Sequence, residues 1–372
     1  MSSKVKIFDT TLRDGEQTPG IAWTLEQKIS IAKHLDALGI DVMEAGFLYP
    51  GSSDIELIKR LKKEGIRAEI CVLARPKLED IQTAAASGAK RVNIFVPTSK
   101  IQADAMKQKL DEVAVQTLEA VTLATAHGLK VEVTLMDAAR ANLDFLGKFA
   151  QNLQKRGVNI LTLSDTVGSR DAFGTLKLFK WMKTKVTVPL SIHAHNDKGM
   201  ATAISLAAVK GGAAQVHVTV AGLGDRSGNA SLEEVVVGLK TRIRMAKLTP
   251  VINKIARIGK FEIPAGKAII GKRAFSHSSG IHVGALRGFE PFDPKRVGNR
   301  RTILYGKGTG KTAIAGLSQR EKLGMTDAQI AELTKMLKTK GARGKIYPEK
   351  VVVRAVKLGP RFRAQAAKLP RR

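Results

Sequence analysis

The sequence is poor in cysteine and has no long apolar run. Cys71 is the only cysteine among 372 residues, which excludes a disulfide framework and a cluster of thiolate metal ligands. Because it stands in the apolar run 70–73, we expect Cys71 to be a small core residue. No apolar stretch approaches the roughly 18 residues of a membrane helix, and the first residues do not resemble a secretory signal. We therefore expect a globular, cytoplasmic protein that does not contact a membrane.

Acidic residues are also scarce, and the imbalance of charge is uneven along the chain. Lys and Arg number 62 against 33 Asp and Glu, a net charge of +29. Residues 251–372 contain 28 basic and 7 acidic residues, so the C-terminal third carries most of the excess. This basic third could contact the phosphates of a ligand, a nucleic acid or an acidic partner, or could be only a solvated surface. Aromatic residues make up only 5% of the chain, so no platform for stacking bases is indicated.

Short β-rich runs alternate with helical stretches over the first 250 residues. The strands are predicted at 5–8, 41–47, 68–74, 92–96, 131–135, 160–163, 190–195 and 215–220. Capping-box patterns at 24–27, 53–56 and 326–329 predict the start of three helices. Eight βα repeats in this length favour a closed (β/α)₈ barrel, the TIM barrel, over an open sheet. We predict the barrel over 1–248, a loop-rich C-terminal subdomain over 249–320, and a basic helical segment and tail over 321–372.

Polar residues follow the predicted strands at the end where barrels of this kind carry their catalytic groups. The richest segments are Asp9–Gln17, Asp165–Gly168, His193–Asp197 and Gly222–Asn229. His193 and His195 are two residues apart on a strand and therefore face the same side. With Asp14 they form a set of two histidines and one carboxylate, to which Asn229 could add an oxygen. Such ligands suit Zn²⁺, Mn²⁺, Fe²⁺ or Mg²⁺, and the pattern leaves the choice among them open.

These segments together resemble the isopropylmalate, homocitrate and citramalate synthase family. Lys267–Gly271 and Ser276–Val283 extend the resemblance, which covers residues 4 to about 315. It implies a metal-dependent acyltransferase that condenses acetyl-CoA with a 2-oxo acid in amino-acid or related chain-elongation biosynthesis, and it implies a homodimer. Lyases and carboxyltransferases have a similar barrel and metal, but the element from Ser276 to Val283 speaks against them.

The resemblance also implies roles for single residues. The metal would chelate the carboxylate and keto oxygens of the 2-oxo acid, while Arg13 would stabilise the charge that develops on oxygen. Glu44 and Asp9 are candidates to orient Arg13, although each could instead form a structural salt bridge. Thr166 matches the position that binds the substrate carboxylate. Further substrate-binding candidates are Gln17, Arg75 and Arg140.

The base that removes a proton from the acetyl methyl group would come from the C-terminal subdomain. His282 matches the family position, and His277 is the alternative. The sequence departs from the family pattern at Met136, where an acid is expected and where methionine cannot transfer a proton. It departs again at Ser278 and Gly308, and Asp137 could replace the missing acid only if the end of its strand bends.

Two classes of function therefore stay open. The main hypothesis is a homocitrate synthase-like or 2-isopropylmalate synthase-like enzyme, with citramalate synthase-like activity as its alternative. The length of the chain mildly favours 2-oxoglutarate as substrate, whereas the segment 72–76 lacks the additional histidine expected for it. The second hypothesis is a divergent, non-catalytic paralogue with a polyanion-binding surface, motivated by Met136 and the basic C-terminal third.

Overall fold

The structure is a computed structural model that describes residues 5–279, 282–283 and 286–359. The chain divides into two compact units between Ile263 and Pro264. None of the helices in the described ranges is both long and apolar enough to cross a membrane.

The first unit contains eight parallel strands that close into a barrel. They are β1 (Lys6–Asp9), β2 (Val42–Phe47), β3 (Glu69–Ala74), β4 (Arg91–Pro97), β5 (Lys130–Met136), β6 (Ile160–Asp165), β7 (Leu190–Ala194) and β8 (Ala213–Val218). Each strand pairs with the next, and β8 closes the ring by pairing with β1 from Lys6 opposite Gln215 to Asp9 opposite Val218. The predicted TIM barrel is confirmed, and each predicted strand overlaps an observed one.

Helices connect consecutive strands of the barrel, and two more α-helices come after β8, its last strand. They are α1 (Leu25–Leu38), α2 (Asp54–Lys63), α3 (Leu78–Ser87), α4 (Lys100–Ala105), α5 (Leu110–Ala126), α6 (Leu143–Lys155), α7 (Ala172–Lys183), α8 (Ala201–Lys210), α9 (Leu232–Gly238) and α10 (Leu248–Gly259). Short 3₁₀ helices lie at Gly15–Gln17, Val220–Gly222 and Met245–Lys247.

Of the capping boxes predicted at Thr24 and Ser53, the first is present and the second is not. The capping box predicted at Thr24 is present, since its side chain accepts from Gln27 N–H and the Gln27 side chain accepts from Thr24 N–H. The box predicted at Ser53 is wrong. Helix α2 does begin at Asp54, but Ser53 has helical dihedral angles and its side chain caps nothing. The hydroxyl of Ser52 accepts from Asp54 N–H at 3.3 Å, and the Asp54 carboxylate accepts from Phe47 N–H at 3.0 Å.

Helix α10 packs against α1, which extends the first unit beyond the predicted boundary at residue 248. Trp23 Nε1 donates to Gly259 O at 2.9 Å, and Gln27 Nε2 donates to Ile258 O at 2.7 Å. Both bonds satisfy carbonyl groups at the C-terminal end of α10, which have no partner within the helix. The division between the units accordingly falls after this helix.

The interior of the barrel holds charged and polar side chains. Arg91 NH2 on β4 donates to Gln215 Oε1 on β8 at 3.2 Å, a bond that crosses the ring because these strands lie on opposite sides of it. Glu132 on β5 lies 3.2 Å from Arg91 Nε and accepts from Gln215 Nε2 at 3.1 Å. All three side chains are buried. Barrels of this kind more commonly fill this space with branched apolar residues.

The second unit combines a small sheet with helices. Its elements are β9 (Ser276–His277), β10 (Thr302–Tyr305), β11 (Tyr347–Pro348), α11 (Lys311–Arg320), α12 (Asp327–Gly341) and α13 (Glu349–Lys357), with short 3₁₀ helices at Leu286–Gly288 and Pro294–Val297. Strand β10 lies between β11 and β9. Leu317, Ile330, Leu337 and Val352 share one apolar cluster, so the packing of the described residues shows no break at the predicted boundary of residue 320. The predicted tail after residue 359 lies outside the described residues.

Candidate active site

A tight turn after β1 places Arg13 and Asp14 at the barrel mouth. The N–H groups of Arg13, Asp14 and Gly15 all donate to the carbonyl oxygen of Thr10. The turn continues into the 3₁₀ helix Gly15–Gln17. Asp14 is buried, whereas Gln17 at the end of that helix is exposed. Asp14, the predicted metal ligand, is therefore shielded from solvent, whereas Gln17, the predicted substrate contact, is not.

The structure brings Asp14, His193 and His195 together. Their candidate ligand atoms all lie within 4.8 Å of one another, and the three residues are buried. His193 Nε2 lies 3.2 Å from His195 Nε2 and 3.3 Å from Asp14 Oδ2. The alternation of side chains along β7 turns both imidazoles to the interior, and the turn after β1 supplies the carboxylate. Two nitrogens and one oxygen thus converge, as the sequence predicted.

Asn229 reaches the same cluster through backbone pairing between the end of β7 and the loop after β8. Ala230 N–H donates to Ala194 O, and Asn196 N–H donates to Gly228 O. The amide nitrogen of Asn229 donates to Asp14 Oδ1 and to Leu223 O, each at 3.0 Å. Its amide oxygen is buried and has no hydrogen-bond partner within the described ranges.

This donor set fits a divalent cation. Burial, reinforced by His193, lowers the pKa of His195 to about 4, so its ring is neutral at pH 7 and offers a lone pair. Burial would raise the pKa of Asp14, but Arg13 and the two histidines outweigh it and hold that pKa well below its usual range. The unpartnered oxygen of Asn229 adds a further neutral donor. Such nitrogen and oxygen donors suit zinc, manganese, iron or magnesium.

Gly224 is the position where the backbone comes closest to this cluster. A Cβ atom added there would lie 2.2 Å from Asn229 Nδ2 and 3.0 Å from Asp14 Oδ1. The residue also has φ +149°, a value that side chains disfavour. Only glycine therefore allows the loop after β8 to pass this close to the two side chains.

Glu44 holds Arg13 in place. Its Oε2 accepts from Arg13 Nε at 2.7 Å and from Thr10 Oγ1 at 2.6 Å, and its Oε1 accepts from Asn93 Nδ2 at 2.9 Å. Arg13 NH1 donates to Asp14 Oδ2 at 2.8 Å. Glu44 is fully buried, while 14% of the Arg13 side chain is exposed. Glu44 thus orients the guanidinium of Arg13.

Asp9, the other candidate to orient Arg13, forms its hydrogen bonds with Thr11 instead. Its carboxylate accepts from the backbone N–H and the hydroxyl of Thr11 at 3.0 and 3.1 Å. Burial raises the pKa of Asp9 to about 7. The side chain stabilises the turn after β1 rather than the guanidinium of Arg13.

The chain bends at the end of β5, next to Thr166. Asp137 has φ +56° and is buried. Its N–H donates to Thr166 Oγ1 at 2.9 Å, and its carboxylate binds Arg140 at 2.9 Å and accepts from Ser99 Oγ. The bend that this role of Asp137 requires is therefore present, and both oxygens of its carboxylate already have partners. Arg140 is correspondingly paired within its own turn.

Arg75 is also paired away from the cluster. Its Nε and NH2 atoms donate to the two oxygens of Asp80 at 2.7 and 2.9 Å. The guanidinium lies 5.9 Å from the ring centroid of Phe47 and 5.8 Å from that of Tyr49. Arg75 thus completes an aromatic and cationic patch after β2 and β3.

In the second unit, His277 and His282 lie near each other in different surroundings. His277 is buried, and its Nε2 lies 3.0 Å from Glu290 Oε1, which also accepts from Arg301 Nε at 2.6 Å. The His282 ring stacks on Phe289 with centroids 4.1 Å apart, and its centroid lies 5.9 Å from that of His277. Half-buried His282 is the more accessible of the two imidazoles.

Several polar residues of the barrel interior were missed in the sequence. Asn93 supports Glu44, and Glu132 and His217 form a buried pair at 2.9 Å beneath the cluster of Asp14 and the histidines. The available signal was the two-residue period. Glu132 stands two positions before Thr134 on β5, and His217 follows Gln215 by two on β8, so each charged or polar side chain falls on one face of its strand.

A closed (β/α)₈ barrel with a buried carboxylate and two imidazoles at its mouth defines a barrel protein with a candidate metal centre. The chain belongs to the HMGL-like family, whose model matches residues 4–260, and its second unit matches the homocitrate synthase post-HMGL domain-like family over residues 269–345.

Curated relatives cover nearly the whole chain. It is 44% identical to the (R)-citramalate synthase CimA of Methanocaldococcus jannaschii, over 92% of this chain and 72% of that protein. It is 39% identical to the 2-isopropylmalate synthase of the same organism, over 92% of this chain and 69% of the relative. The resemblance to the isopropylmalate, homocitrate and citramalate synthases that the motifs indicated is thus confirmed.

Solved structures support the barrel alone. A hydroxymethylglutaryl-CoA lyase from Pseudomonas aeruginosa superimposes with a TM-score of 0.63 at 23% identity, covering 70% of this chain and 94% of its own. An HMG-CoA lyase from Acenitobacter baumannii, in complex with coenzyme A and 3-methylmalate, gives 0.63 at 20% identity, covering 71% and 95%.

Proposed function

We propose that this protein is an acetyl-CoA-dependent acyltransferase that condenses acetyl-CoA with a 2-oxo acid. The observation that carries the proposal is the buried cluster of Asp14, His193 and His195 beside an oriented Arg13, in a chain related to citramalate and 2-isopropylmalate synthases. The same family relationship supports acetyl-CoA and a divalent metal as the required partners.

The reaction forms a carbon–carbon bond between the acetyl methyl carbon and the keto carbon. The methyl group gives up a proton, the keto oxygen gains one, and water then releases CoA from the thioester. A divalent ion held by Asp14, His193, His195 and the Asn229 oxygen would supply a Lewis acid for the keto group. Arg13, fixed by Glu44, would stabilise negative charge on the oxygen. Thr166 would donate its hydroxyl to the substrate carboxylate.

We assign removal of the methyl proton to His282. Its ring is half-buried and stacks on Phe289, whereas His277 is buried and engaged by Glu290. A base must reach the substrate, and His282 has the larger exposed fraction of the two histidines. His277 remains the alternative base, and Met136 at the end of β5 cannot replace either.

The family relationship leaves three 2-oxo acids as candidates, and these are tested directly. Citramalate is the condensation product of pyruvate, isopropylmalate that of 2-oxoisovalerate, and homocitrate that of 2-oxoglutarate. Release of the CoA thiol is measured with each of the three acids, with acetyl-CoA alone as background and the Asp14→Asn variant as control. We expect metal-dependent release with one acid in clear excess over the others. No release above background with the metal-loaded wild type would refute the proposal.

A second candidate function rests on charge and on Met136. The 28 basic and 7 acidic residues of 251–372 would suit a non-catalytic paralogue that binds a polyanion. Its test is binding of a labelled single-stranded oligonucleotide at increasing salt, because genuine polyanion binding weakens steeply as salt rises. Salt-sensitive binding by a chain that releases no CoA would favour this function over the condensation.

We also propose an oligomeric state and a cellular location for the protein. We propose a homodimer, as the family resemblance implies, and sedimentation equilibrium distinguishes it from a monomer. A cytoplasmic location stays a prediction, which fractionation of the source cells would test.

A further inference from the structure

His217 lies inside the barrel, directly beneath the cluster of Asp14, His193 and His195. We propose that His217 is a positioning residue that holds the ring of the candidate metal ligand His193 in its binding orientation. This inference rests on the proposed metal site. It does not depend on which 2-oxo acid is used.

Two contacts fix the ring of His217. It stacks on Phe8 with centroids 3.8 Å apart and planes 4° from parallel. Its Nε2 atom lies 2.9 Å from Glu132 Oε1. The stacking sets the plane of the ring, and the hydrogen bond sets its rotation within that plane. Only 2% of His217 is exposed, so water does not compete for these contacts.

Glu132 is itself immobilised from several sides. Its Oε1 accepts from Thr162 Oγ1 and from Gln215 Nε2, and its Oε2 lies 3.2 Å from Arg91 Nε. Arg91 is fully buried and lies over Phe8, with its guanidinium carbon 5.6 Å from the ring centroid. The stacked rings of Phe8 and His217 are therefore held in a connected layer of side chains, which we call the floor. It consists of Phe8, Arg91, Glu132, Gln215 and His217.

The upper side of this floor meets His193. The rings of His193 and His217 have centroids 5.4 Å apart and planes at 80°, an edge-to-face arrangement. Aromatic pairs favour this geometry at this distance. His193 and His195 also meet edge to face, with centroids 4.9 Å apart. A rotation of His193 would break both contacts, so the floor biases the ring toward the orientation that points Nε2 at Asp14.

The alternative is that His217 only fills space in the core. The two roles differ in what a change does to metal binding by the folded protein. A core residue contributes to the free energy of unfolding alone. A positioning residue also changes the affinity of the site, typically by about 10- to 100-fold where it supports a metal ligand.

The experiment compares three variants of the metal-free, full-length protein. Zn²⁺ affinity is measured by competition with a chromophoric chelator, and the visible absorption of Co²⁺ reports the geometry of the site. The variants are His217→Ala, which removes the ring, His217→Phe, which keeps the ring but not the bond to Glu132, and Leu146→Ala. Leu146 is a buried residue of α6 in the outer helix layer, and its variant is the control for a core cavity.

We expect His217→Ala to weaken Zn²⁺ binding by about 10-fold or more and to change the Co²⁺ spectrum. His217→Phe should retain affinity within a few-fold of the wild type, and so should Leu146→Ala. If His217→Ala does not fold, His217→Leu takes its place, because leucine fills the volume without an aromatic edge. Wild-type Zn²⁺ affinity in His217→Ala, or in its leucine replacement, would overturn the proposal. A loss in Leu146→Ala as large as in His217→Ala would also overturn it, because any cavity in the core would then have the same effect on the site.

These measurements contain no acetyl-CoA and no 2-oxo acid. Failure of the proposed condensation would therefore leave the result on His217 intact. The Asp14→Asn variant serves as the reference for loss of the site, because unchanged Zn²⁺ binding in that variant would remove the metal site itself and, with it, the object that His217 positions.

Discussion

Replacing Gly224 with alanine should damage the candidate metal site without removing any of its ligands. The new Cβ would lie 2.2 Å from Asn229 Nδ2 and 3.0 Å from Asp14 Oδ1. Non-bonded heavy atoms pack best at about 3.5 Å or more, so the Asn229 amide must move by about 1 Å. That movement breaks its bonds to Asp14 and Leu223, both now at 3.0 Å.

The size of the effect follows from these losses. Two hydrogen bonds at about 1 kcal/mol each, with about 1–2 kcal/mol of backbone strain, give a loss in unfolding free energy of about 3–4 kcal/mol. Gly20→Ala is the matched control. Gly20 also has a positive φ, +86°, but a Cβ there meets nothing within 4 Å. The control should lose only the strain of about 1–2 kcal/mol.

The assays are urea unfolding and Zn²⁺ affinity by chelator competition. Because the amide oxygen of Asn229 moves with its nitrogen, Gly224→Ala should weaken Zn²⁺ binding by about 10-fold or more, and Gly20→Ala should not. Equal Zn²⁺ affinity and equal stability in the two variants would refute the reasoning, since it would show that Asn229 and Asp14 tolerate the displacement.

Four further predictions concern the ligands, the base, strand β5 and a buried acid. Each of the variants Asp14→Asn, His193→Ala and His195→Ala should lose its divalent metal on dialysis, because each removes one of the three candidate ligands. Metal analysis is the measurement, and stoichiometric metal in all three variants would refute the ligand set. His282→Ala should lower CoA release by about 10²- to 10⁴-fold at unchanged metal content, and wild-type turnover would exclude it as the base. Met136→Glu should raise turnover if the enzyme lacks only an acid at this position, and should lower it if the methionine shapes an apolar pocket, with CoA release over the three 2-oxo acids as the measurement. Because the folded-state pKa of Asp9 is raised from 3.8 to about 7, its contribution to stability is complete below pH 4 and is lost as the pH rises toward 7. Urea unfolding at pH 5 and pH 8 should therefore show the wild type losing stability relative to Asp9→Asn, and parallel behaviour of the two proteins would contradict the assignment.

Much of the candidate site was predictable because its signals are local. The two-residue period of a strand places His193 and His195 on one side, whatever the rest of the chain does. The alternation of strands and helices predicts the barrel, and in a barrel the ends of β1 and β7 open at the same mouth. Asp14 is thereby brought to the histidines from 179 positions earlier in the chain, as its 3.3 Å distance to His193 shows.

Single partners were harder to predict where several residues of similar chemistry compete. Asp9 and Glu44 were equal candidates to orient Arg13, and the structure gives that position to Glu44, 31 residues away, because Asp9 is occupied by Thr11, two residues along the chain. The capping pattern at Ser53 is also not realised, since Ser52, one residue earlier, accepts from Asp54 N–H. In both cases neighbouring groups of similar chemistry compete for one position, with differences of about 1 kcal/mol per hydrogen bond.

Periodicity and motif spacing are properties of short segments, so they were enough to predict the class of fold, the family and the three candidate ligands at the barrel mouth. The contacts beneath those residues join segments that are far apart in the chain, and they could not be predicted in this way. Arg91 and Gln215 are 124 residues apart, and Glu132 and His217 are 85 apart, yet each pair meets inside the barrel. Their contact depends on the register in which β8 closes against β1, and no local pattern encodes that register. Burial then makes each pairing obligatory, since a charge or a polar group left without a partner in the barrel interior would cost several kcal/mol.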